Sequence, residues 1–236
     1  MKNLKITSLL LSLALVFGGC SSMNNKAKGG IIGGAGGAAL GALIGHAAGN
    51  TAVGAVIGTA VGAGAGVLIG NHMDKVKKQA QTVENAKVEE ITDSNGFKAV
   101  KCTFDSGILF ATSSSELSSA AKSSLNDFAQ NVLNVNTNVD VDIQGYTDNQ
   151  GWKNSTAAES VEKNLDLSRR RAQAVESYLK SCGVSGKQIK KTSGFGEQNP
   201  VADNSTEAGR QQNRRVEIYM YASEQMIKEA QAASAN

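Results

Sequence analysis

The architecture of this chain is set by residues 145–172, which read GYTDNQGWKNSTAAESVEKNLDLSRRRA. The run before them, residues 139–143 (VDVDI), alternates apolar and acidic residues, and this period of two predicts a half-buried strand. At the other end, Ala172, Val175 and Leu179 follow the spacing of one apolar helix face. The segment therefore joins a strand to a helix, and loops at strand ends are where α/β domains usually carry binding groups.

Strand and helix patterns alternate on both sides of this segment. Two alternating runs flank the sequence Asp93-Ser94-Asn95-Gly96, which is a strong hairpin turn signal. Helices that alternate with strands imply an α/β sandwich with crossover connections. The predicted elements are strands at 87–92 and 97–104, a helix at 117–132, a strand at 139–144, a helix at about 164–181, a strand at 189–194 and a closing strand at 216–220.

Two further motifs lie downstream, at 194–200 (GFGEQNP) and 209–217 (GRQQNRRVE). Together with residues 145–172 they closely resemble the OmpA-like peptidoglycan-binding domain, and the resemblance extends over residues 104–221. It implies an α/β fold, a βαβαββ sandwich with a mixed sheet, over a domain at 87–222 that is followed by a C-terminal tail at 223–236.

The same resemblance assigns a binding site. A peptidoglycan stem peptide presents a diamino acid whose ammonium and carboxylate share one carbon, and in the family a fixed carboxylate and a fixed guanidinium recognise this zwitterion. Asp148 and Arg171 match those two positions, and an arginine suits the second because its planar fork grips a carboxylate bidentately. The resemblance also carries over Thr147, Asn149, Asn164, Leu167, Ser168 and Arg214 as residues of the site.

Each of these residues has a plainer interpretation. Asp148 is also a common turn former after a strand, and Arg171 and Arg214 also fit exposed positions on a helix and a strand. The chain departs from the family pattern at 150–163, which is longer than the family usually carries and contains Trp152, the only tryptophan. Whether this insertion adds a wall to the pocket or reaches another partner stays open.

The N-terminus carries a targeting signal. Lys2 and Lys5 precede an apolar core at 9–17 that is too short to span a bilayer, and Val16-Phe17-Gly18-Gly19-Cys20 looks like the lipobox of bacterial lipoproteins. We expect a signal peptide at 1–19, a diacylated Cys20 and a lipidated tether at 20–28. By resemblance, the chain is anchored in the outer membrane with its C-terminal domain in the periplasm.

Residues 29–71 are rich in glycine and lack Asp, Glu, Lys and Arg. Glycines spaced by four lie along one helix face and let two backbones approach closely, so the segment resembles a two-helix glycine-zipper membrane module that also offers a surface for homo-oligomers. A flexible linker is the alternative, and residues 72–86 are interpreted as a helical spacer. The two sets are Gly33, Gly37, Gly41, Gly45, Gly49 and Gly54, Gly58, Gly62, Gly66, Gly70.

Several classes of function are disfavoured. The formal charge of +3 includes Lys2 and Lys5, so the mature chain is close to neutral and lacks the basic stripe that nucleic acids require. The only histidines, His46 and His72, precede the domain, so we expect no enzymatic activity, no metal and no cofactor. A disulfide between Cys102 and Cys182 is left undecided.

The sequence thus predicts an outer-membrane lipoprotein that binds peptidoglycan non-covalently through its stem-peptide diamino acid and anchors the membrane to the cell wall. The alternative is a glycine-zipper membrane protein that oligomerises as a channel or scaffold. The partners implied are peptidoglycan and outer-membrane lipid, the latter contacted by the acylated Cys20 and by residues 29–71.

Overall fold

The computed structural model describes residues 63–93 and 96–235. The predicted signal peptide (1–19), the tether (20–28) with Cys20 and most of the glycine-zipper segment (29–71) lie outside these residues. Of the helices that are described, none combines the length and the apolar character needed to cross a membrane.

Five strands form one mixed sheet in the order β1-β2-β5-β3-β4. Strands β3 and β4 are parallel, and the other neighbouring pairs are antiparallel. The mixed sheet predicted from the sequence is confirmed, and β1 and β2 form the expected hairpin. From β2 to β5 the strands and long helices follow the βαβαββ order, with one additional short helix at Glu207–Asn213 between the last two strands. The strands are β1 Ala86–Thr92, β2 Lys98–Asp105, β3 Val139–Gly145, β4 Ile189–Gly194 and β5 Arg215–Ala222.

Six α-helices accompany the sheet within residues 63–93 and 96–235, and the third continues into a π-helical turn at Ala129–Leu133. They are α1 Ala63–Ala80, α2 Ser106–Leu109, α3 Ser119–Phe128, α4 Ala157–Ser181, α5 Glu207–Asn213 and α6 Glu224–Ser234.

Helix α4 begins earlier than the predicted start near 164, because its N-terminus is a capping box. The Thr156 hydroxyl accepts a hydrogen bond from the Glu159 backbone N–H at 3.2 Å, and the Glu159 carboxylate accepts one from the Thr156 N–H at 2.7 Å. This reciprocal pair satisfies two N–H groups at the start of the helix. The second half of the insertion at 150–163 is therefore helix, and only its first half is loop.

One face of the sheet is apolar and packs against the helices. Val141 and Ile143 of β3 and Ile218 and Met220 of β5 belong to one hydrophobic core with residues of α1, α3, α4 and α6. Burial of this face supplies the main driving force for folding. The thiols of Cys102 and Cys182 are free; Cys102 lies inside this core, and burial raises its pKa above the ordinary range.

Helix α1 is part of this core. Its apolar stripe is buried, from Ile69 and Met73 through Val76 to Ala80, against α6 and strands β1 and β2. The boundary that the sequence suggested between 71 and 72 falls inside this helix, and the residues interpreted as a spacer contribute to the domain. An apolar stripe has the same pattern whether its partner is lipid or protein, so periodicity alone could not identify what α1 contacts.

The predicted C-terminal tail at 223–236 contains helix α6, which starts with a Ser223 cap. Met226, Ile227 and Ala230 are buried in the common core, and α6 packs directly against α1. The two ends of the described chain therefore stabilise each other.

The opposite face of the sheet carries a buried polar network. Arg215 donates from Nε to the Glu217 carboxylate at 2.8 Å, and the Tyr219 hydroxyl donates to the same carboxylate at 2.6 Å. The Arg215 guanidinium lies 3.8 Å from the centre of the Tyr146 ring, and that ring stacks on Phe195 at 5.3 Å. Tyr146 and Arg215 directly adjoin the segments that carry Asp148 and Arg214, so this network fixes both segments.

Asp142 on the same face is fully buried, and burial raises its pKa to about 6 despite a hydrogen bond from the Tyr221 hydroxyl and the nearby charge of Lys191. Because the unfolded chain releases this proton at an ordinary aspartate pKa, this group favours the folded state at low pH and loses that contribution as the pH rises from about 4 to about 6. We therefore compare the free energies of unfolding of Asp142→Asn and the wild type. The difference between them should shift in favour of Asp142→Asn by about 2–3 kcal/mol from pH 4 to pH 7.5.

Urea unfolding at both pH values tests this prediction. Asp127→Asn, which alters an exposed carboxylate on α3, is the control and should follow the wild type at both pH values. If the stability of Asp142→Asn and that of the wild type depend on pH in the same way, the raised pKa does not belong to Asp142.

Two glycines let helix α4 lie directly against the sheet. A Cβ at Gly145 would approach the Ser168 carbonyl oxygen to 2.2 Å, and a Cβ at Gly194 would approach the Arg169 backbone nitrogen to 2.2 Å. Real Cβ atoms are excluded at such distances, so only glycine permits this contact at the ends of β3 and β4. The close approach determines how near Arg171, two residues along α4, comes to the loop after β3.

Candidate functional site

The loop after β3 carries the predicted carboxylate. Asp148 is only 6% exposed, and its Oδ1 accepts a hydrogen bond from the Gln150 backbone N–H at 3.1 Å. Asn164 of α4 donates from Nδ2 to the backbone oxygens of Asp148 (3.5 Å) and Gln150 (3.2 Å). The helix thus fixes the loop, and the loop fixes its own carboxylate.

The predicted guanidinium lies on the facing side of α4. Arg171 is 4% exposed and donates from Nε to the Ser114 backbone oxygen at 2.9 Å and from Nη2 to that of Ala111 at 3.4 Å. Its guanidinium carbon lies 5.1 Å from the centre of the Phe110 ring. Burial lowers the pKa of Arg171 to about 10, although the charge of Asp148 acts in the opposite direction, so the group stays cationic at neutral pH.

A third charged residue, Arg214, joins two carboxylates. Its Nη1 lies 2.5 Å from Asp148 Oδ2, and its Nη2 lies 2.7 Å from Glu207 Oε1. Burial alone would lower the pKa of Arg214, but the hydrogen bonds and charges of Glu207 and Asp148 outweigh it and raise that pKa. The plainer interpretation of Arg214 as an exposed strand residue does not fit this geometry.

These groups surround a cavity of about 560 Å³, here named the ion-pair cavity. Six of the eight predicted site residues line it, namely Thr147, Asp148, Asn164, Leu167, Arg171 and Arg214. The start of the insertion also lines the cavity, through Gln150, Gly151, Trp152 and Lys153, so the insertion does add a wall to the pocket, which the sequence had left open. The lining residues that the sequence did not indicate are Glu207 and, from the segment after β2, Ser106, Gly107, Phe110, Ala111, Thr112 and Ser113.

The other two predicted residues lie outside the cavity lining. Asn149 is exposed, and Ser168 is fully buried behind the site. The Ser168 hydroxyl donates to the Leu165 oxygen at 2.7 Å and accepts from the Gly196 N–H at 2.8 Å, so it ties α4 to the loop after β4.

The site residues that the sequence did not reveal form no recognisable motif. Phe110, Ala111 and Ser114 lie about 60 residues before Arg171 and contact it through backbone oxygens or an aromatic ring, which leave no side-chain motif. Glu207 follows the helix-capping residue Thr206 and looks in sequence like an ordinary first-turn acid.

The cavity contains both signs of charge on rigid supports. Asp148 and Glu207 supply two carboxylates, and Arg171 and Arg214 supply two guanidiniums. Thr147 Oγ1 is buried in the cavity wall and has no hydrogen-bond partner within the described residues. In the same described ranges, no group of three or more His, Cys, Asp or Glu side chains is arranged to hold a metal ion. The arrangement suits a small ligand with separate cationic and anionic groups.

Comparisons with known protein families agree with this architecture. A model of the OmpA family matches residues 109–214, and a model of the YMGG-like Gly-zipper matches residues 1–74. The described fold is similar to the crystal structure of a MotB like protein from Desulfovibrio vulgaris, with a TM-score of 0.52 and 23% identity, over 67% of this chain and 92% of that one.

Three curated relatives are similar in sequence. The probable lipoprotein YiaD of Escherichia coli is 32% identical over 64% of this chain and 63% of its own length. The peptidoglycan-binding protein ArfA of Mycobacterium tuberculosis is 47% identical over 33% of this chain and 21% of its own length. This chain therefore spans less than two thirds of either relative.

The third relative, the outer-membrane lipoprotein YfiB of Pseudomonas aeruginosa, is 31% identical over 61% of this chain and 83% of its own length. The match thus includes most of that protein, and the residues that the OmpA family model matches, 109–214, include most of the lining of the ion-pair cavity. This chain belongs to the OmpA family.

Proposed function

We propose that the ion-pair cavity binds the zwitterionic diamino acid of a peptidoglycan stem peptide. The ligand's ammonium donates hydrogen bonds to Asp148, and its neighbouring carboxylate accepts them from Arg171. The observation that carries this proposal is a pair of buried side chains of opposite charge, 6% and 4% exposed, that line one cavity. Hydrogen bonds to charged groups contribute about 1.5–3 kcal/mol each, which gives a moderate affinity for a single site.

The bonding of Arg171 supports an anionic ligand. Its hydrogen bonds within the described residues go to two backbone oxygens, and no carboxylate there forms a salt bridge with it. A buried cation without a direct anionic partner is costly, since desolvation opposes its charge. A ligand carboxylate on Nη1, which makes no hydrogen bond in the described part of the chain, relieves that cost.

The bonding of Arg214 supports a cationic group beside Asp148. An incoming ammonium competes with Arg214 for the Asp148 carboxylate, and Arg214 keeps its second partner, Glu207, at 2.7 Å. Displacement therefore leaves no charge unpaired. Arg214 then acts as an exchangeable partner that neutralises Asp148 until the ligand arrives.

At the level of the whole protein, we propose an outer-membrane lipoprotein that anchors the membrane non-covalently to the cell wall, without enzymatic activity. The names of YfiB and ArfA, an outer-membrane lipoprotein and a peptidoglycan-binding protein, support the location and the ligand class. The lipobox at Cys20 supplies the membrane attachment, with the domain in the periplasm. Many anchored copies facing a polymer raise the effective affinity well above that of one site.

Ligand chemistry tests the site directly. The detergent-solubilised full chain should pellet with purified sacculi, and a free tripeptide ending in meso-diaminopimelate should release it. The same tripeptide with lysine in place of the diamino acid lacks the second carboxylate and should compete about 10-fold or more less well, since it loses a charge-assisted bond to Arg171. Equal competition by the two peptides would contradict the proposal.

The match of residues 1–74 to the Gly-zipper model favours a second role, in which the same protein oligomerises as a channel or scaffold. On α1, a Cβ at Gly66 would meet nothing within 4 Å, and one at Gly70 would meet only the Lys98 side chain at 3.8 Å. These two glycines are therefore not required for packing inside the domain. Chemical cross-linking of the full chain in detergent tests this role, and a purely monomeric product would argue against it.

A further inference from the structure

The first half of the insertion places an aromatic ring at the edge of the ion-pair cavity. Trp152 donates from its backbone N–H to the Ser160 hydroxyl at 3.0 Å and from its indole Nε1 to Asn164 Oδ1 at 2.8 Å. Lys163 donates to the Ser155 hydroxyl at 2.8 Å, which ties the same loop to α4. The indole is thus held by a residue that also holds the Asp148 loop, and its only polar atom is already satisfied.

Trp152 also lines a second cavity of about 510 Å³, here named the insertion groove. Among the described residues, no other lines both this groove and the ion-pair cavity. The remaining lining residues, Glu159, Glu162, Lys163, Asp166 and Arg170, all come from α4. A ligand that extends from the ion-pair cavity into the insertion groove must therefore pass the indole.

Most charged side chains that line the insertion groove already have a salt-bridge or hydrogen-bond partner. Asp166 pairs with Arg169 and Arg170, each at 2.6 Å, and Glu159 accepts from the Thr156 backbone N–H at 2.7 Å. Glu162 has no hydrogen-bond partner among the described residues, so the groove carries a slight excess of negative charge. These features disfavour an anionic ligand and leave many polar atoms that can bond to hydroxyl groups.

We propose that Trp152 and the insertion groove bind a sugar of the glycan chain that bears the stem peptide. A pyranose ring has an apolar face of C–H groups and a rim of hydroxyls, which matches an indole face bordered by polar side chains. N-acetylated pyranose sugars that are joined to a peptide carry no charge, which suits a groove that disfavours anionic ligands. This inference rests on the proposed function, because the peptide in the ion-pair cavity brings the glycan to the neighbouring groove.

Calorimetric titration of the full chain in detergent tests the inference with two ligands, the stem peptide alone and the same peptide joined to its disaccharide. The wild type should bind the disaccharide form on the order of 10-fold more tightly, in line with one aromatic contact. Trp152→Ala should remove this difference, so that it binds the two ligands with equal affinity. Trp152→Phe should retain most of the difference because it keeps an aromatic face.

Val161→Ala is the matched control, since Val161 is an exposed apolar residue of the same insertion that lines neither cavity. It should bind both ligands as the wild type does. Thermal melting must show that Trp152→Ala remains folded, and Trp152→Phe decides the matter if it does not. As the only tryptophan of the chain, Trp152 also reports occupancy of the wild type by its own fluorescence.

Three results would overturn the inference. The first is that the wild type binds both ligands with equal affinity. The second is that Trp152→Ala lowers the affinity for both ligands by the same factor. The third is that a cross-linked peptide dimer without sugar gains as much affinity as the disaccharide form. Asp148→Asn separates the two proposals, because it should lower both affinities equally and preserve the difference between them. If Asp148→Asn changes neither affinity while Trp152→Ala still removes the difference, the assignment of the peptide site fails and the sugar groove stands.

Discussion

Asp148→Asn should lower the affinity of the full chain for sacculi by about 10- to 100-fold, because it removes the charge that accepts the ligand's ammonium. The substitution keeps the size of the side chain and the acceptor for the Gln150 N–H, which lies 3.1 Å from Oδ1. Arg214 retains its bond to Glu207, so the empty cavity keeps a paired guanidinium. The loss of binding should therefore exceed the loss in the free energy of unfolding, which reflects only the broken Arg214–Asp148 ion pair.

Arg171→Lys should have an effect of similar size for a different reason. Two bonds to the Ser114 and Ala111 oxygens orient the guanidinium, and a lysine ammonium cannot hold both and still grip a carboxylate bidentately. Arg171→Ala is less informative, since it also removes the donor that bonds to the Ser114 and Ala111 oxygens and so releases the segment after β2.

Sedimentation with sacculi and urea unfolding should be measured together for these variants. The controls are Asp127→Asn and Arg169→Lys, which make the same chemical changes at exposed positions, the second of them two residues from Arg171 on α4. Both controls should pellet like the wild type. If Asp148→Asn and Arg171→Lys also pellet like the wild type while remaining folded, the wall contact lies elsewhere on the protein.

Met73→Ala should destabilise the domain by about 2–5 kcal/mol, which is the usual cost of truncating a buried methionine to alanine. Met73 is 1% exposed and lies on α1 between the sheet and α6. The cavity left by the side chain cannot collapse easily, because strands on one side and a helix on the other are both fixed by their own hydrogen bonds.

Leu68→Ala is the matched control on the same helix, since Leu68 is 45% exposed. It should change the free energy of unfolding by no more than about 0.5 kcal/mol. Urea unfolding followed by circular dichroism measures both variants. Equal stability of Met73→Ala and the wild type would mean that α1 detaches from the domain in solution. Under our expectation, binding studies need a chain that includes α1, because removal of residues before 84 exposes the core.

Much of the site was predictable from residue types and their spacing. The alternation at 139–143 identified β3, and the polar residues that follow it placed Thr147 and Asp148 at a strand end, where the structure has them. The stripe of Ala172, Val175 and Leu179 oriented α4 and is buried as expected. Local periodicity determines which face of an element is apolar, and this information is present in every short window of sequence.

The tertiary structure decided how these elements are paired. The Arg214–Asp148 ion pair, the backbone oxygens that hold Arg171 and the burial of Asp142 each depend on residues far apart in the chain, and no local pattern encodes them. The sequence divided α1 between a membrane segment and a spacer, because an apolar stripe does not show which partner it contacts. The sequence by itself therefore determined the main strands and helices, the family and the charged residues Asp148, Arg171 and Arg214 of the cavity. The partners of these charges and of α1 follow only from long-range packing.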